Sequence, residues 1–449
     1  MKGLNTYAVC ALVFCGLWAS LSNVNSAKLF AQQAPSRPDI TAELVKPHVV
    51  TLADDKYEGR GAGYPGERKA ADYIAAEFKR IGLMPGGDNV RGRRSYFQEF
   101  KFQPWHPVVP WEVLSSRNVL GLIEGTDPIL KNEIVVIGAH YDGQGRTGQA
   151  DPLRLAPSDD NLTKDEIWNS ANDNAASIAS ILEIARHIKN GKINTRRSLL
   201  FIAFGAEEHG MAGSLHYVSH PVFPLHNHVA MINLEKVGRS PEKALTVTGG
   251  ASSSVWQQVF KTAGERTGTK VAPGSPYSFP DSDHYPFAAS RIPAIMLLVP
   301  TSVDSHQPSD SWDKIDFSRA AEVARYSLAT LLELANQPQT PDFIASPIPD
   351  LGLIAHLITA AESDAAGLGA EESGLKVTGV VAGLPSAAAG LQPGDLILEF
   401  AKRRFRRDDT VAALMAVHRQ ILEGKLGYRL PVTILRNKKQ SELVINLQR

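Results

Sequence analysis

The chain has 449 residues, a length that predicts two or three domains. Basic and acidic residues each number 47, and the resulting net charge of zero argues against a nucleic-acid-binding protein, which would need a basic face. The hydrophobic fraction of 43% is ordinary for a globular protein.

Residues 1–26 have the pattern of a secretory signal peptide: a positive start, an apolar stretch too short to span a bilayer comfortably, and small residues before a cleavage site near Ser26. An uncleaved membrane anchor is the alternative. Residues 27–39 predict a flexible lead-in. Both cysteines, Cys10 and Cys15, lie in the signal peptide, so any metal must be held by histidine and carboxylate side chains. We expect a secreted or periplasmic protein whose mature form has no transmembrane segment.

Hydrophobic periodicity predicts that strands and helices alternate between residues 40 and 336. The predicted helices cover residues 40–52, 67–81, 175–189, 253–267 and 317–335. The predicted strands cover residues 118–124, 133–139, 199–204, 228–234 and 292–299, and most are apolar on both faces. This alternation predicts a three-layer α/β/α domain around a largely parallel mixed sheet.

The apolar run at residues 199–204 leads directly to Glu207 and Glu208. Two adjacent carboxylates at the end of a buried strand would repel each other and resist desolvation unless a cation lies beside them. A metal ion is the simplest such cation, and one carboxylate could bind it while the other faces the metal-bound water. The alternative is a solvated helix start, where glutamate is also favoured.

Other metal-binding side chains follow the predicted strand ends or, for Asp173, precede a helix that it could instead cap. These candidates are His140, Asp173, Glu235 and His306. Because sites in parallel sheets form at the carboxyl ends of the strands, the positions predict one common site. Together with Glu208 they suffice for two zinc ions that share a bridging carboxylate, which leaves Glu207 as a base.

Several motifs resemble those of the di-zinc aminopeptidases of metallopeptidase family 28. They are EGRGAGYPGERKAADYIAAEF, GAHYDGQG, NSANDNAAS, FGAEEHGMAGS, MINLEKVG, SDHYPF and HQPSDSWDKID, within a domain at residues 40–336. The resemblance implies that Asp173 bridges two zinc ions whose other ligands are His140, Glu208, Glu235 and His306. It also implies that Glu207 is the general base and that Asp142 orients His140. Asp283 and His284 are the implied substrate-pocket residues.

The function implied by this resemblance is hydrolysis of the N-terminal bond of peptides with a free N-terminus, by a metal-activated water from which Glu207 takes a proton. Four residues depart from the family pattern, among them Ser170 and Asn172, which replace a more usual glycine and aspartate beside Asp173. Glu235 replaces the usual aspartate, and Lys236 adds a cation that could weaken metal binding if it points inward. A single-zinc glutaminyl cyclase-like acyltransferase, which also carries a motif like SDHYPF, is one alternative function. A non-catalytic binding protein on the same fold is another.

The amino-acid pattern of the chain changes after the last predicted helix. Residues 337–349 are proline-rich and predict a linker. Residues 350–449 predict a small β-rich domain with one helix at 410–422, and SGLKVTGVVAGLPSAAAGLQPGDLILEF resembles a bacterial PDZ domain. The resemblance implies that LGLI, from Leu351, captures the carboxylate of a peptide C-terminus. The basic run at 402–407 predicts a solvated hairpin. We expect the catalytic domain to close its core without this C-terminal part.

Overall fold

The computed structural model describes residues 40–105, 108–150, 165–239, 242–300, 303–407 and 429–447. The predicted signal peptide and lead-in, the two cysteines and the predicted helix at residues 410–422 lie outside the described residues. Nowhere in these six ranges does a helix combine the length and the apolar character that crossing a membrane requires.

Within the described residues, nine strands form one mixed sheet. The strands are β1 (Met84–Pro85), β2 (Phe97–Phe102), β3 (Leu114–Ile123), β4 (Ile134–His140), β5 (Ser198–Phe204), β6 (His228–Glu235), β7 (Leu245–Thr248), β8 (Val271–Pro273) and β9 (Ala294–Leu298). Their order is β1-β3-β5-β4-β6-β9-β7-β8, with β2 paired to β3. The strands β5, β4, β6 and β9 run parallel, whereas β3 and β7 join this block antiparallel. The predicted mixed, largely parallel sheet is therefore confirmed.

Helices cover both faces of the sheet. They are α1 (Ala42–Leu52), α2 (Pro65–Ile81), α3 (Ala176–Asn190), α4 (Ala212–Ser219), α5 (Trp256–Thr267), α6 (His284–Ala289) and α7 (Phe317–Asn336). In β4 the side chains alternate: Val135 and Ile137 join the core beneath α1, α3 and α7, whereas Ile134 and Val136 join the core beneath α4 and α6. The strand is buried on both faces because a layer of helices lies on each.

The C-terminal region forms a separate sheet with its own core. Among residues 350–407 and 429–447, six strands pair, namely Leu353–Leu357, Leu375–Val380, Leu396–Phe400, Arg403–Arg404, Arg429–Arg436 and Lys439–Asn446. Val377, Ile397 and Val432 are at most 1% exposed in the core of this sheet. The basic run contributes a strand to this sheet, since Arg403–Arg404 pairs antiparallel with Leu396–Phe400. Arg404 and Arg407 form ion pairs with Glu372 and Asp364. A small β-rich domain is therefore confirmed.

The linker runs along the first domain instead of crossing open solvent. The buried guanidinium of Arg197 donates to the carbonyl oxygens of Gln337 at 2.5 Å and Gln339 at 3.0 Å. Further along, the amide of Ile344 donates to the carbonyl of Ser252 at 2.8 Å. These hydrogen bonds to the linker backbone fix its path and hence the position at which the second domain begins.

The main core of the first domain contains only residues between 40 and 335, as expected, and the second domain packs against it through a separate small cluster. Met211, Leu215 and Tyr285 share one buried cluster with Ile354 and Val381 of the second domain. Tyr285 also donates from its hydroxyl to a carboxylate oxygen of Asp350 at 2.6 Å. The apolar side chains of this cluster would otherwise be exposed to water, and their burial favours the contact between the two domains.

Candidate metal centre

The carboxyl ends of the parallel strands bring the predicted metal-binding residues together. His140 ends β4 and Glu235 ends β6, while Glu208 lies in the turn that follows β5. Asp173 lies in the one-turn segment Ala171–Ala175 that leads into α3, and His306 lies in the loop after β9. The strand ends converge because all four central strands run in the same direction.

Asp173 lies between the two histidines. Its Oδ1 is 3.2 Å from Nε2 of His140, and its Oδ2 is 2.9 Å from Nε2 of His306. On one side, Oε1 of Glu235 is 3.6 Å from the same nitrogen of His140. On the other side, Oε2 of Glu208 is 3.6 Å from that of His306. The five side chains thus form two groups that share one carboxylate.

The donor atoms of these groups fit metal ions. In each of the groups His140–Asp173–Glu235 and Asp173–Glu208–His306, the potential ligand atoms lie within 4.8 Å of one another. Oδ2 of Asp173 and Oε1 of Glu235 already face one cation, since Nζ of Lys236 lies 3.2 Å from each of them. Nε2 of His140, Oδ1 of Asp173 and Oε1 of Glu208 are buried and make no hydrogen bond within the described part of the chain. Buried polar atoms normally have partners, so the pattern indicates that cations complete the site.

Asp142 holds the turn that carries the two glutamates. Its carboxylate oxygens accept the backbone amides of Glu207 at 3.1 Å and Glu208 at 3.2 Å. Nδ1 of His140 lies 3.2 Å from the carbonyl oxygen of Asp142 and 3.6 Å from its carboxylate. Asp142 is thus next to His140, as predicted, but its hydrogen bonds also orient both glutamates, which sequence reasoning did not foresee.

Glu207 and Glu208 differ in their surroundings. Oε2 of Glu207 lies 3.7 Å from Nε2 of His140, and its side chain is 11% exposed. Burial, together with the nearby carboxylates of Glu235 and Asp283, raises the pKa of Glu207 well above its usual value although His140 opposes the shift. Burial raises the pKa of Glu208 to about 7. Such crowded carboxylates are stabilised as anions when a cation lies among them.

The predicted pocket residues lie beside the metal centre, at the start of α6. Asp283 and His284 are fully buried, and Oδ1 of Asp283 accepts the hydroxyl of Ser214 at 2.5 Å. Burial raises the pKa of Asp283 to about 8 and lowers that of His284 to about 4. Both side chains are therefore biased towards their neutral forms. Asp283 acts electrostatically on Glu207, and Glu235 acts in the same way on His284.

Three residues that support the candidate metal ligands were not predicted from the sequence. The carboxylate of Asp310 accepts the backbone amides of Asn172 and Asp173 at 3.0 to 3.1 Å. Oε2 of Glu235 accepts the hydroxyl of Ser282 at 2.9 Å and the side-chain amide of Asn174 at 3.3 Å. The sequence offered a weak signal for Ser282, Asn174 and Asp310, because each lies inside a motif that resembles the family pattern.

Arg60 is a buried residue near the candidate metal centre that the sequence analysis did not predict. Its guanidinium is fully buried and donates to the carbonyl oxygens of Leu52, Tyr141, Asn169 and Ser170 at 2.7 to 2.8 Å. Tyr141 directly follows His140, and Ser170 lies three residues before Asp173. Arg60 belongs to the EGRGAGYPGERKAADYIAAEF motif, in which the sequence analysis assigned it no role. Its role here is to hold two ligand-bearing segments together.

Two family models match the chain. Residues 118–331 match the model described as Peptidase family M28, and residues 355–447 match the model described as PDZ domain. Aminopeptidase YwaD of Bacillus subtilis is 29% identical over 51% of this chain and 47% of its own length. The chain therefore spans about half the length of this curated relative.

Solved structures agree on the fold. The zinc aminopeptidase BSAP of Bacillus subtilis superposes with a TM-score of 0.50 at 19% identity, over 68% of this chain and 98% of its own. Porphyromonas gingivalis glutaminyl cyclase superposes with a TM-score of 0.52 at 18% identity, over 65% of this chain and 98% of its own. At such low identity these likenesses establish the fold alone.

Proposed function

We propose that this chain, which carries a Peptidase family M28 domain followed by a PDZ domain, is a zinc-dependent aminopeptidase that removes N-terminal residues from peptides. The observation that carries the proposal is the position of Asp173 between His140 and His306, each with a further carboxylate beside it. The likeness to aminopeptidase YwaD supports the same activity.

The residues present suit two zinc ions. His140, Asp173 and Glu235 would hold one, and Asp173, Glu208 and His306 would hold the other. When bound, zinc supplies Lewis-acid activation of a water and of the peptide carbonyl. The shared carboxylate of Asp173 keeps the two groups close, which agrees with the short separation typical of two-metal hydrolases.

The chain's own residues perform the proton transfers in the proposed mechanism. Glu207 lies next to His140 and belongs to a third group, His140–Glu207–Glu208, that could also hold a metal ion. If zinc occupies the two groups that share Asp173, the carboxylate of Glu207 is left to take a proton from the attacking water. It then returns this proton to the leaving amine. Burial raises the pKa of Glu207, which favours holding the proton between these two steps. Asp142 fixes the backbone of Glu207 and so its distance from the reacting atoms.

A glutaminyl cyclase-like acyltransferase is the second candidate, because the fold superposes on a glutaminyl cyclase as well as on an aminopeptidase. The two activities differ in product. A cyclase converts an N-terminal glutamine to pyroglutamate and needs one metal ion, whereas an aminopeptidase releases a free amino acid.

Removing metal is expected to abolish hydrolysis of amino-acyl amides, since without zinc neither the water nor the carbonyl is activated. The experiment compares chelator-treated full-length protein with the same sample after zinc is restored. It measures free amino acid release together with zinc content, which we expect to be close to two per chain. N-acetylated amides serve as the matched control and should resist cleavage. Pyroglutamate formation from glutaminyl substrates without amino acid release would support the cyclase instead.

We propose that the PDZ domain binds the C-terminal carboxylate of a peptide at the segment that begins at Leu351. The amide of Gly352 in this segment donates to Oδ1 of Asp350 at 2.8 Å, so a peptide carboxylate at this amide would take the place of that side chain. A fluorescent peptide with a free C-terminus should therefore bind more tightly than its C-terminally amidated copy in an anisotropy titration. Equal affinities would argue against carboxylate capture.

We also propose that the protein is exported to the periplasm or the exterior after cleavage near Ser26. The signal-like pattern of residues 1–26 is the support for this location. Intact mass of the exported protein should correspond to a chain that begins close to Lys28, and a mass that includes Cys10 and Cys15 would mean that a membrane anchor is retained.

A further inference from the structure

The short segment Ser282–Tyr285 connects the candidate metal centre with the PDZ domain. At one end, the hydroxyl of Ser282 donates to Oε2 of Glu235, a candidate metal ligand, at 2.9 Å. At the other end, the hydroxyl of Tyr285 donates to Oδ1 of Asp350 at 2.6 Å. The two predicted pocket residues lie between these hydrogen bonds. The amide of Tyr285 also donates to the carbonyl of Ser282 at 3.0 Å, so the segment is one tight turn and a displacement of Tyr285 reaches the pocket residues.

Asp350 lies at the start of the second domain, and one oxygen of its carboxylate accepts two hydrogen bonds. Oδ1 takes the hydroxyl of Tyr285 at 2.6 Å and the backbone amide of Gly352 at 2.8 Å. Burial and the neighbouring carboxylate of Asp350 raise the pKa of Tyr285 well above its usual value, so the hydroxyl keeps the proton that it donates. Because the two donors share one acceptor atom, a group that displaces Asp350 from Gly352 also takes it from Tyr285.

Apolar packing surrounds these hydrogen bonds and fixes the turn at Gly352. Tyr285 is 2% exposed and shares a buried cluster with Ile354 and Val381. Gly352 has a left-handed φ of 62°, and a Cβ at this position would lie 2.6 Å from Cβ of Leu384. A backbone amide has one proton to donate, so a peptide carboxylate at Gly352 replaces the carboxylate that is already there. A buried hydroxyl that loses its acceptor is costly, and Tyr285 would then move.

We propose that Asp350 is a positioning residue for the substrate pocket, and that a peptide carboxylate bound at Gly352 displaces it. The inference rests on the proposed aminopeptidase activity and on the proposed carboxylate capture by the PDZ domain. With Asp350 in place, Tyr285 holds the turn that carries Asp283 and His284. With a peptide bound, Tyr285 loses its acceptor, the turn is no longer held, and the enzyme binds its substrate less tightly. The PDZ domain thus makes the peptidase sensitive to free peptide C-termini.

The first test measures steady-state hydrolysis of an amino-acyl amide, a substrate without a carboxylate that could bind at Gly352. Asp350→Ala should raise KM by about tenfold, within the range usual for coupling between two sites, and should change kcat little. Tyr285→Phe should have the same effect. Asp350→Asn keeps an acceptor oxygen and should have a KM close to that of the wild type. Tyr96→Phe is the matched control, because it removes a hydroxyl that donates to the carbonyl of Leu83 at 2.7 Å, and it should leave KM unchanged.

The second test adds peptides that can occupy the PDZ domain without being substrates, since N-acetylation removes the free amine that an aminopeptidase needs. A pool of N-acetylated peptides with free C-termini should raise the KM of the wild type for the amino-acyl amide. The C-terminally amidated copy of the pool should not. In Tyr285→Phe the pool should have no further effect, because the hydroxyl that couples the two sites is gone. An unchanged KM in Asp350→Ala, no effect of the pool on the wild type, or an equal effect on Tyr285→Phe would overturn the inference.

A binding measurement separates this inference from the proposed activity. A calorimetric titration of an amino-acid hydroxamate into zinc-loaded, full-length protein needs no turnover. The hydroxamate should bind about tenfold more weakly to Asp350→Ala than to the wild type. That result without hydrolysis of any amino-acyl amide would support the positioning role of Asp350 and contradict only the proposed activity. Equal affinities of the two proteins for the hydroxamate would contradict the positioning role.

Discussion

Glu207→Gln should keep its zinc and lower kcat by about 10² to 10⁴-fold, which is the usual contribution of a general base. The amide has nearly the size of the carboxylate, so the turn held by Asp142 stays intact. It cannot take a proton from water at neutral pH, and the step that depends on this transfer therefore slows. The measurements are zinc content and steady-state hydrolysis of an amino-acyl amide.

Glu208→Gln is the matched control, since it makes the same change one residue away. Glu208 belongs to the Asp173–Glu208–His306 group, so we expect this variant to lose zinc affinity together with activity. Zinc retained in Glu207→Gln and lost in Glu208→Gln would distinguish a general base from a metal ligand. If Glu207→Gln lost zinc, or if it kept near-normal turnover, the roles assigned to the two glutamates would be wrong.

Arg60→Met should lower the free energy of unfolding by about 3–5 kcal/mol, among the largest effects that one substitution produces. The methionine fills much of the space of the guanidinium but donates no hydrogen bond. Four buried carbonyl oxygens would lose a charged donor at once. Because two of these carbonyls flank the segments that carry His140 and Asp173, zinc affinity should fall as well. Urea unfolding with and without zinc measures both effects.

Arg80→Met provides the control for this prediction. The side chain of Arg80 is 59% exposed and pairs with Glu77 on the surface of α2. Exposed ion pairs contribute about 0–1 kcal/mol, so this variant should unfold nearly like the wild type. A loss in Arg60→Met no greater than that in Arg80→Met would contradict the view that Arg60 holds the two segments in place.

The contact between the two domains gives the PDZ domain a direct connection to the metal centre. Met211, four residues after Glu207, packs in the same cluster as Ile354 of the PDZ domain. The hydroxyl of Tyr285, which follows His284, contacts Asp350 at the start of the PDZ segment. The turn that carries Glu207 and the helix that begins at His284 therefore both rest against the second domain.

Hydrophobic runs and strand ends were enough to predict the architecture and the side chains that meet at the candidate metal centre. The strands of the central sheet are apolar on both faces, and this property is visible as continuous hydrophobic runs such as residues 199–204. Once the strands are parallel, their carboxyl ends share one edge. The candidates His140, Glu208 and Glu235 could then be placed together without coordinates, since the site position follows from chain direction.

The residues that support these candidate ligands could be identified only from the folded structure. Arg60 and Asp310 act through backbone amides and carbonyls of segments more than 80 residues away, and no local pattern encodes such contacts. The direction of Lys236 was also open, because one left-handed φ at a strand end determines whether its ammonium meets solvent or the carboxylate of Asp173. The docking of the PDZ domain depends on apolar side chains from both domains meeting, and their complementarity exists only once each domain has folded.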